Sequence, residues 1–118
     1  MKELSIEMDG GRTTFLPGEP ISGQVSWSYV DAPKSIDIRL FWYTEGRGRQ
    51  DVVLENELEI DDPSRTGSQT FSFEAPAEPY SFSGQLISIL WAIEAVGNKG
   101  FTERVELVIG PDGQEVRV

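Results

Sequence analysis

The chain has 118 residues, 20 of them acidic and 10 basic, for a net charge of −10, and it contains neither cysteine nor histidine. Those two absences exclude disulfides, thiolate metal sites, Ser-His and Cys-His nucleophile pairs and the commonest zinc ligand. The acidic field repels nucleic-acid phosphates and anionic membrane surfaces, so neither is expected as a partner.

Leu4, Ile6 and Met8 alternate with Ser5 and Glu7, which predicts a first strand. Asp9-Gly10-Gly11 is a turn signal, and Pro17-Gly18 suits the centre of a type II turn. Pro20 can open a strand but not sit inside one. The second strand runs from Ile21 to about Tyr29, with Ile21, Gly23, Val25 and Trp27 on one face. Gly23 on that face leaves room for a neighbour or marks a bulge. Asp31 to Lys34 is the next turn.

From Ser35 to Tyr43 the inward face is Ile36, Ile38, Leu40 and Trp42. Asp37, Arg39, Phe41 and Tyr43 point outward, and two outward aromatics are unusual. The loop Glu45 to Gln50 carries Arg47 and Arg49, which are candidates to hold an anion or simply solvated. Asp51 to Ile60 returns as a strand, with Val52, Leu54, Leu58 and Ile60 on one side and Val53, Glu55, Glu57 and Glu59 on the other. Asp61 to Arg65 turns the chain again.

Gly67 to Ala95 organises the whole. Phe71 and Phe73 share a face of one strand; Ile87, Ile89, Trp91 and Ile93 share a face of another. Between them Pro76 and Pro79 each remove an N–H donor and break the ladder. Phe82 in that loop is expected to fold back as a plug over one end of the core, because burying it is worth about 2 kcal/mol. Gly97 to Gly100 reads as a hairpin turn, Phe101 to Ile109 as the last strand, and Gly110 to Val118 as a turn with a short edge pairing. Seven strands with regular turns predict an all-β, immunoglobulin-like antiparallel sandwich, with residues 1–118 as one domain.

Two separated stretches resemble the arrestin superfamily. The first, Phe15-Leu16-Pro17-Gly18-Glu19-Pro20-Ile21-Ser22-Gly23-Gln24-Val25, is similar to the signature that opens arrestin-type lobes. The second comprises Gly67, Phe71-Ser72-Phe73, Pro76, Pro79, Ser81-Phe82-Ser83-Gly84 and the strand through Trp91. The resemblance implies an arrestin-like β-sandwich acting as an adaptor for receptors, sorting cargo, ubiquitin ligases or retromer components, without catalysis or cofactor. Typical members carry two lobes and this chain has one, so no phosphate-sensing residue is carried over.

The function expected is therefore a cytoplasmic protein-interaction module. The opening Met-Lys-Glu-Leu-Ser-Ile-Glu-Met has charge where a signal peptide needs an apolar run, and no run approaches membrane-spanning length. Candidate partner-binding residues are Phe41, Tyr43, Arg47 and Arg49, with Val53 and Val108 completing an apolar patch. Cover by a loop or by the C-terminal tail is the alternative for that patch. An edge strand that takes up an extended peptide is a second mode, and a single lobe also has the means to pair with itself as a homo-oligomer. The competing function is a C2-like calcium-dependent module, with Asp9, Asp31, Asp61, Asp62 and Asp112 gathered at one end.

Overall fold

The computed structural model describes residues 3–46, 50–84, 87–97, 102–111 and 114–117. It is an all-β sandwich of the expected class. Seven long strands carry it: β1 (Leu4–Met8), β3 (Pro20–Ser28), β4 (Ser35–Gly46), β5 (Val52–Asp61), β6 (Thr66–Glu74), β8 (Ile87–Val96) and β9 (Thr102–Ile109). Three two-residue strands supplement them: β2 (Thr14–Phe15), β7 (Phe82–Ser83) and β10 (Val116–Arg117). Strands β1, β3 and β6 form one antiparallel sheet in that order. The larger sheet runs β10-β7-β8-β4-β5, with β9 on the edge of β8 beyond β7 and β2 on β9. The short additions β2 and β10 run parallel to β9 and β7, so the sandwich is antiparallel in its long strands only.

The core lies where the predicted apolar faces meet. Ile21 and Val25 of β3, Ile36, Ile38 and Leu40 of β4 and Trp91 and Ile93 of β8 are fully enclosed. Phe71 and Phe73 sit beside them with ring centroids 5.9 Å apart, and Leu4, Met8, Leu107 and Ile109 complete the layer. Gly23 is explained by close approach. A Cβ there would lie 2.4 Å from the Glu7 carbonyl oxygen on the neighbouring β1.

The turn before β3 forms as its chemistry requires. Gly18 adopts φ +86°, open to glycine at little cost, and the Glu19 N–H donates to Leu16 O at 3.1 Å. The Glu19 carboxylate folds back to accept the Leu16 N–H at 2.6 Å and an Arg12 guanidinium hydrogen bond. The Leu16 N–H, with Arg12 assisting, holds the Glu19 carboxyl below its ordinary pKa.

Phe82 is not the plug that its apolar bulk suggested. It lies half-buried in β7, paired with Ile89 on one side and Val116 on the other. Ala75 and Ser81 take the enclosed positions in that loop. The reason is hydrogen bonding. Ser81 Oγ accepts the Ile109 N–H at 2.9 Å, its own N–H donates to Ile109 O at 2.7 Å, and its carbonyl accepts the Val116 N–H at 2.8 Å. Consecutive residues of an extended chain face opposite ways, so a buried Ser81 sends Phe82 to the partly open side. The hairpin residues 98–100, Phe101 and Asp112 lie outside the described residues.

Replacing Ser81 with alanine leaves the buried Ile109 N–H without an acceptor. We expect Ser81→Ala to lower stability by about 1–3 kcal/mol. Urea unfolding should show a lower midpoint with an unchanged slope.

Candidate functional site

The site is the outer face of the larger sheet, the face turned away from the core. Strict alternation along β4 sends Ile36, Ile38, Leu40 and Trp42 inward and Arg39, Phe41 and Tyr43 outward, as the sequence predicts. The neighbour β5 does not keep the same step. Leu40 pairs with Asn56 and Phe41 with Leu54, so Glu55 is an extra residue in β5. The Asn56 side chain marks the irregularity by accepting the Glu57 N–H at 2.9 Å.

This bulge divides the apolar residues of β5 between two faces. Leu58 and Ile60 pair with Ile38 and Ile36 and pack on the core. Val52 and Leu54 pair with Tyr43 and Phe41 and lie on the outer face, 64% and 53% exposed. Sequence alternation put all four on one side. The extra residue reverses that, because a one-residue slip exchanges the faces of every residue beyond it. Val53, expected beside the outward aromatics, instead pairs with Trp42 on the inward side. Glu55 accepts the Trp42 indole N–H at 2.9 Å.

The outward aromatics are themselves well covered. Phe41 is 5% and Tyr43 8% exposed, packed against Ala92 and Leu90 of β8 with ring centroids 5.9 Å apart. Among the described residues their cover comes from a neighbouring strand. The Arg104 guanidinium of β9 lies 5.0 Å from the Phe41 ring centroid and 5.4 Å from that of Tyr43. Burial, with Glu106 adding to it, raises the Tyr43 phenol above its ordinary pKa, so the ring is neutral. Arg104 is held in turn by Glu94, at 2.9 and 3.1 Å. Arg39 donates to Glu57 at 3.0 Å and to Asp37 at 3.1 Å. Together these residues enclose an open pocket of about 400 Å³, with Phe41 and Tyr43 among its lining, Val52, Leu54 and Gln50 on the β5 side, and Arg39, Arg104, Glu57 and Glu94 supplying its charges.

Of the candidates from sequence, Phe41 and Tyr43 therefore share this site. Arg47 and Arg49 lie outside the described residues. Sequence reasoning missed Val52, Leu54, Arg39 and Arg104. For the β5 pair the only signal was Asn56, a polar residue that interrupts the apolar alternation between Leu54 and Leu58.

The described loop aspartates of the competing calcium reading, Asp9, Asp31, Asp61 and Asp62, do not gather at one end, and Asp112 lies outside the described residues. Asp9 follows Met8, which pairs with Gly23, while Asp31 follows the opposite end of β3. Among the described residues the carboxylates that converge are Asp37, Glu57 and Glu59, whose oxygens lie within 4.8 Å of one another on the sheet face. Arg39 already neutralises two of the three.

The fold and the face define a class: a β-sandwich with a partly open, apolar and charged outer sheet surface. No protein-family model matches the chain, and no curated protein sequence does. Its likeness is to solved structures. Spo0M, the sporulation control protein of Bacillus subtilis, has an arrestin-like fold and aligns with a TM-score of 0.62 at 12% identity, over 91% of this chain and 48% of that one. The chain thus spans about half the length of Spo0M. The superoxide reductase (neelaredoxin) of Ignicoccus hospitalis aligns with a TM-score of 0.53 at 17% identity, over 91% of this chain and 80% of that one. At these identities the likeness is one of fold. Among the described residues no helix is long and apolar enough to cross a membrane.

The acidic end of the face gives a pH prediction. A hydrogen bond shared with Asp61, and then the charges of Asp61 and Asp37, raise the Glu59 carboxyl above its ordinary pKa. A carboxyl whose folded pKa is raised costs stability as pH rises through the window above its unfolded value, and that cost vanishes below it. Glu59→Gln should therefore raise the melting temperature at pH 7. The gain should fade as pH falls to about 4, read by calorimetry across that range.

Proposed function

We propose that this chain is a non-catalytic interaction module of arrestin-like type, cytoplasmic, which recognises a partner protein through the outer face of its larger sheet. The observation that carries the reading is the exposure of Val52 and Leu54 beside a pocket lined by Phe41 and Tyr43. Apolar side chains next to a concave, aromatic-lined surface are what a partner's side chain fills. The two sequence stretches similar to arrestin lobes and the fold-level likeness to arrestin-like Spo0M support the same reading.

The likeness to a superoxide reductase raises catalysis as a rival. Superoxide reduction needs a one-electron redox centre. This chain offers no imidazole and no thiolate, the ligands that suit iron and copper. Neither carboxylates alone nor Tyr43, neutral beneath Arg104, supplies such a centre.

The test uses the exposed residues, because Phe41 and Tyr43 are too enclosed to change without disturbing the sheet. Val52→Ser/Leu54→Ser should melt within a few degrees of wild type. Affinity capture from native lysate, read by mass spectrometry, should show reproducible partners with wild type that the double variant loses. Partners retained by a folded double variant would remove the outer face from the mechanism.

A further inference from the structure

The larger sheet ends in a long strand paired on one side only. Among the described residues β5 hydrogen-bonds to β4 and to no other strand. An unpaired edge of ten residues is a template for an added strand. Same-face side chains recur at every second position of such a strand, about 6.6 Å apart, so an added segment would read the β5 outer face as a pattern.

That pattern has two blocks. Val52 and Leu54 lie at the pocket end. Glu57, Glu59 and Asp61 occupy the other end, opposite Arg39, Asp37 and Ser35 of β4. Among the described residues only Arg39 offsets the acidic block, and it is already bonded to Glu57 and Asp37. Glu59 lies beside Asp61 and Asp37; the hydrogen bond with Asp61, and then the charges of both, raise its carboxyl above the ordinary pKa, and among the described residues no cation is paired with it.

We infer that the β5 edge takes up an extended cationic segment of the partner protein, with lysine or arginine at alternate positions against Glu57, Glu59 and Asp61, and apolar side chains at alternate positions against Val52 and Leu54. The inference rests on the outer-face reading above and names the partner's chemistry. A second copy of this chain is the wrong occupant. Parallel pairing of two β5 strands sets acid on acid. Antiparallel pairing sets the acids against Val52 and Leu54, each copy brings a net charge of −10, and Arg39 is the only cation among the described residues that faces the acidic block.

The experiment is a titration of the isotope-labelled chain, followed by amide resonances, with three synthetic peptides at up to millimolar concentration: KTKTKTLTL, ETETETLTL and KTKTKTSTS. KTKTKTLTL should shift resonances from Val52 to Asp61 and bind about tenfold more tightly than the other two. Glu57→Gln/Glu59→Gln should weaken it about tenfold, and raising salt should weaken it in wild type. No binding, equal binding of ETETETLTL, or shifts confined to β1 or β6 would overturn the inference. So would self-association that perturbs β5. The native capture separates this inference from the broader reading. Partners lost with Val52→Ser/Leu54→Ser but retained by Glu57→Gln/Glu59→Gln, with KTKTKTLTL silent, would overturn the cationic segment and leave the outer face standing. Partners retained by both variants would remove both.

Discussion

The larger sheet is built around a buried indole whose N–H has no access to water. Trp91 is fully enclosed, flanked by Trp42 of β4 and Leu107 of β9. A buried donor without an acceptor costs about 1–3 kcal/mol, so the nearest flexible carbonyl must be brought to it. That carbonyl belongs to Pro79, at 2.8 Å. Proline cannot donate, but its carbonyl is free to accept, and the chain around it lies across the end of the sheet. Two residues later Ser81 ties the same segment to β9 and β10. The proline-rich loop is thus a seam: it lets β7 and β9 share one edge of β8. With β8 fixed from that side, β4 is held between two ladders, and its outward side chains stand at set positions.

The fold was legible because its signals are local and redundant. Alternation over five or more residues located all seven long strands. Pro17-Gly18 announced its turn through the one φ that glycine adopts freely. What alternation does not encode is partnership at chain ends. The strands β2 and β10 have two residues each, too few for a period, and they exist because β9 and β7 have unpaired edges nearby. Phe82 misled for a related reason. Side-chain size argued for the core, but the hydrogen-bonding needs of Ile109 put Ser81 there instead, and the pleat then fixed Phe82.

The site was legible only in half. Phe41 and Tyr43 declared themselves by lying out of phase with a clean inward face. Val52 and Leu54 did not, because a bulge leaves the spacing of the residues beyond it even. Val52, Leu54, Leu58 and Ile60 keep a regular period in sequence while the backbone places them on opposite faces. Arg104 was hidden more deeply still. Its role depends on β9 lying beside β8, which brings Glu94 level with it and the aromatic rings within reach. No property of residues 102–109 alone contains that.

The energetics of this face favour a cover that can be exchanged. Arg104 shields two rings through a cation–π contact worth about 0.5–1 kcal/mol at an exposed site. Its ion pair with Glu94 is half open to solvent and contributes no more than about 1 kcal/mol. Against this stand Val52 and Leu54, each more than half exposed. Full burial of such side chains is worth about 1.5–3 kcal/mol each, so completing theirs returns about 1–2 kcal/mol apiece. The two sides are comparable before any backbone pairing along β5 is counted. On the proposed reading, a partner that supplies apolar groups would compete with Arg104 for the rings at little cost to the sheet. Cover and charge are thus tied together on this surface, because the residue that covers the rings is also the counter-charge of the Glu94 carboxylate beside them.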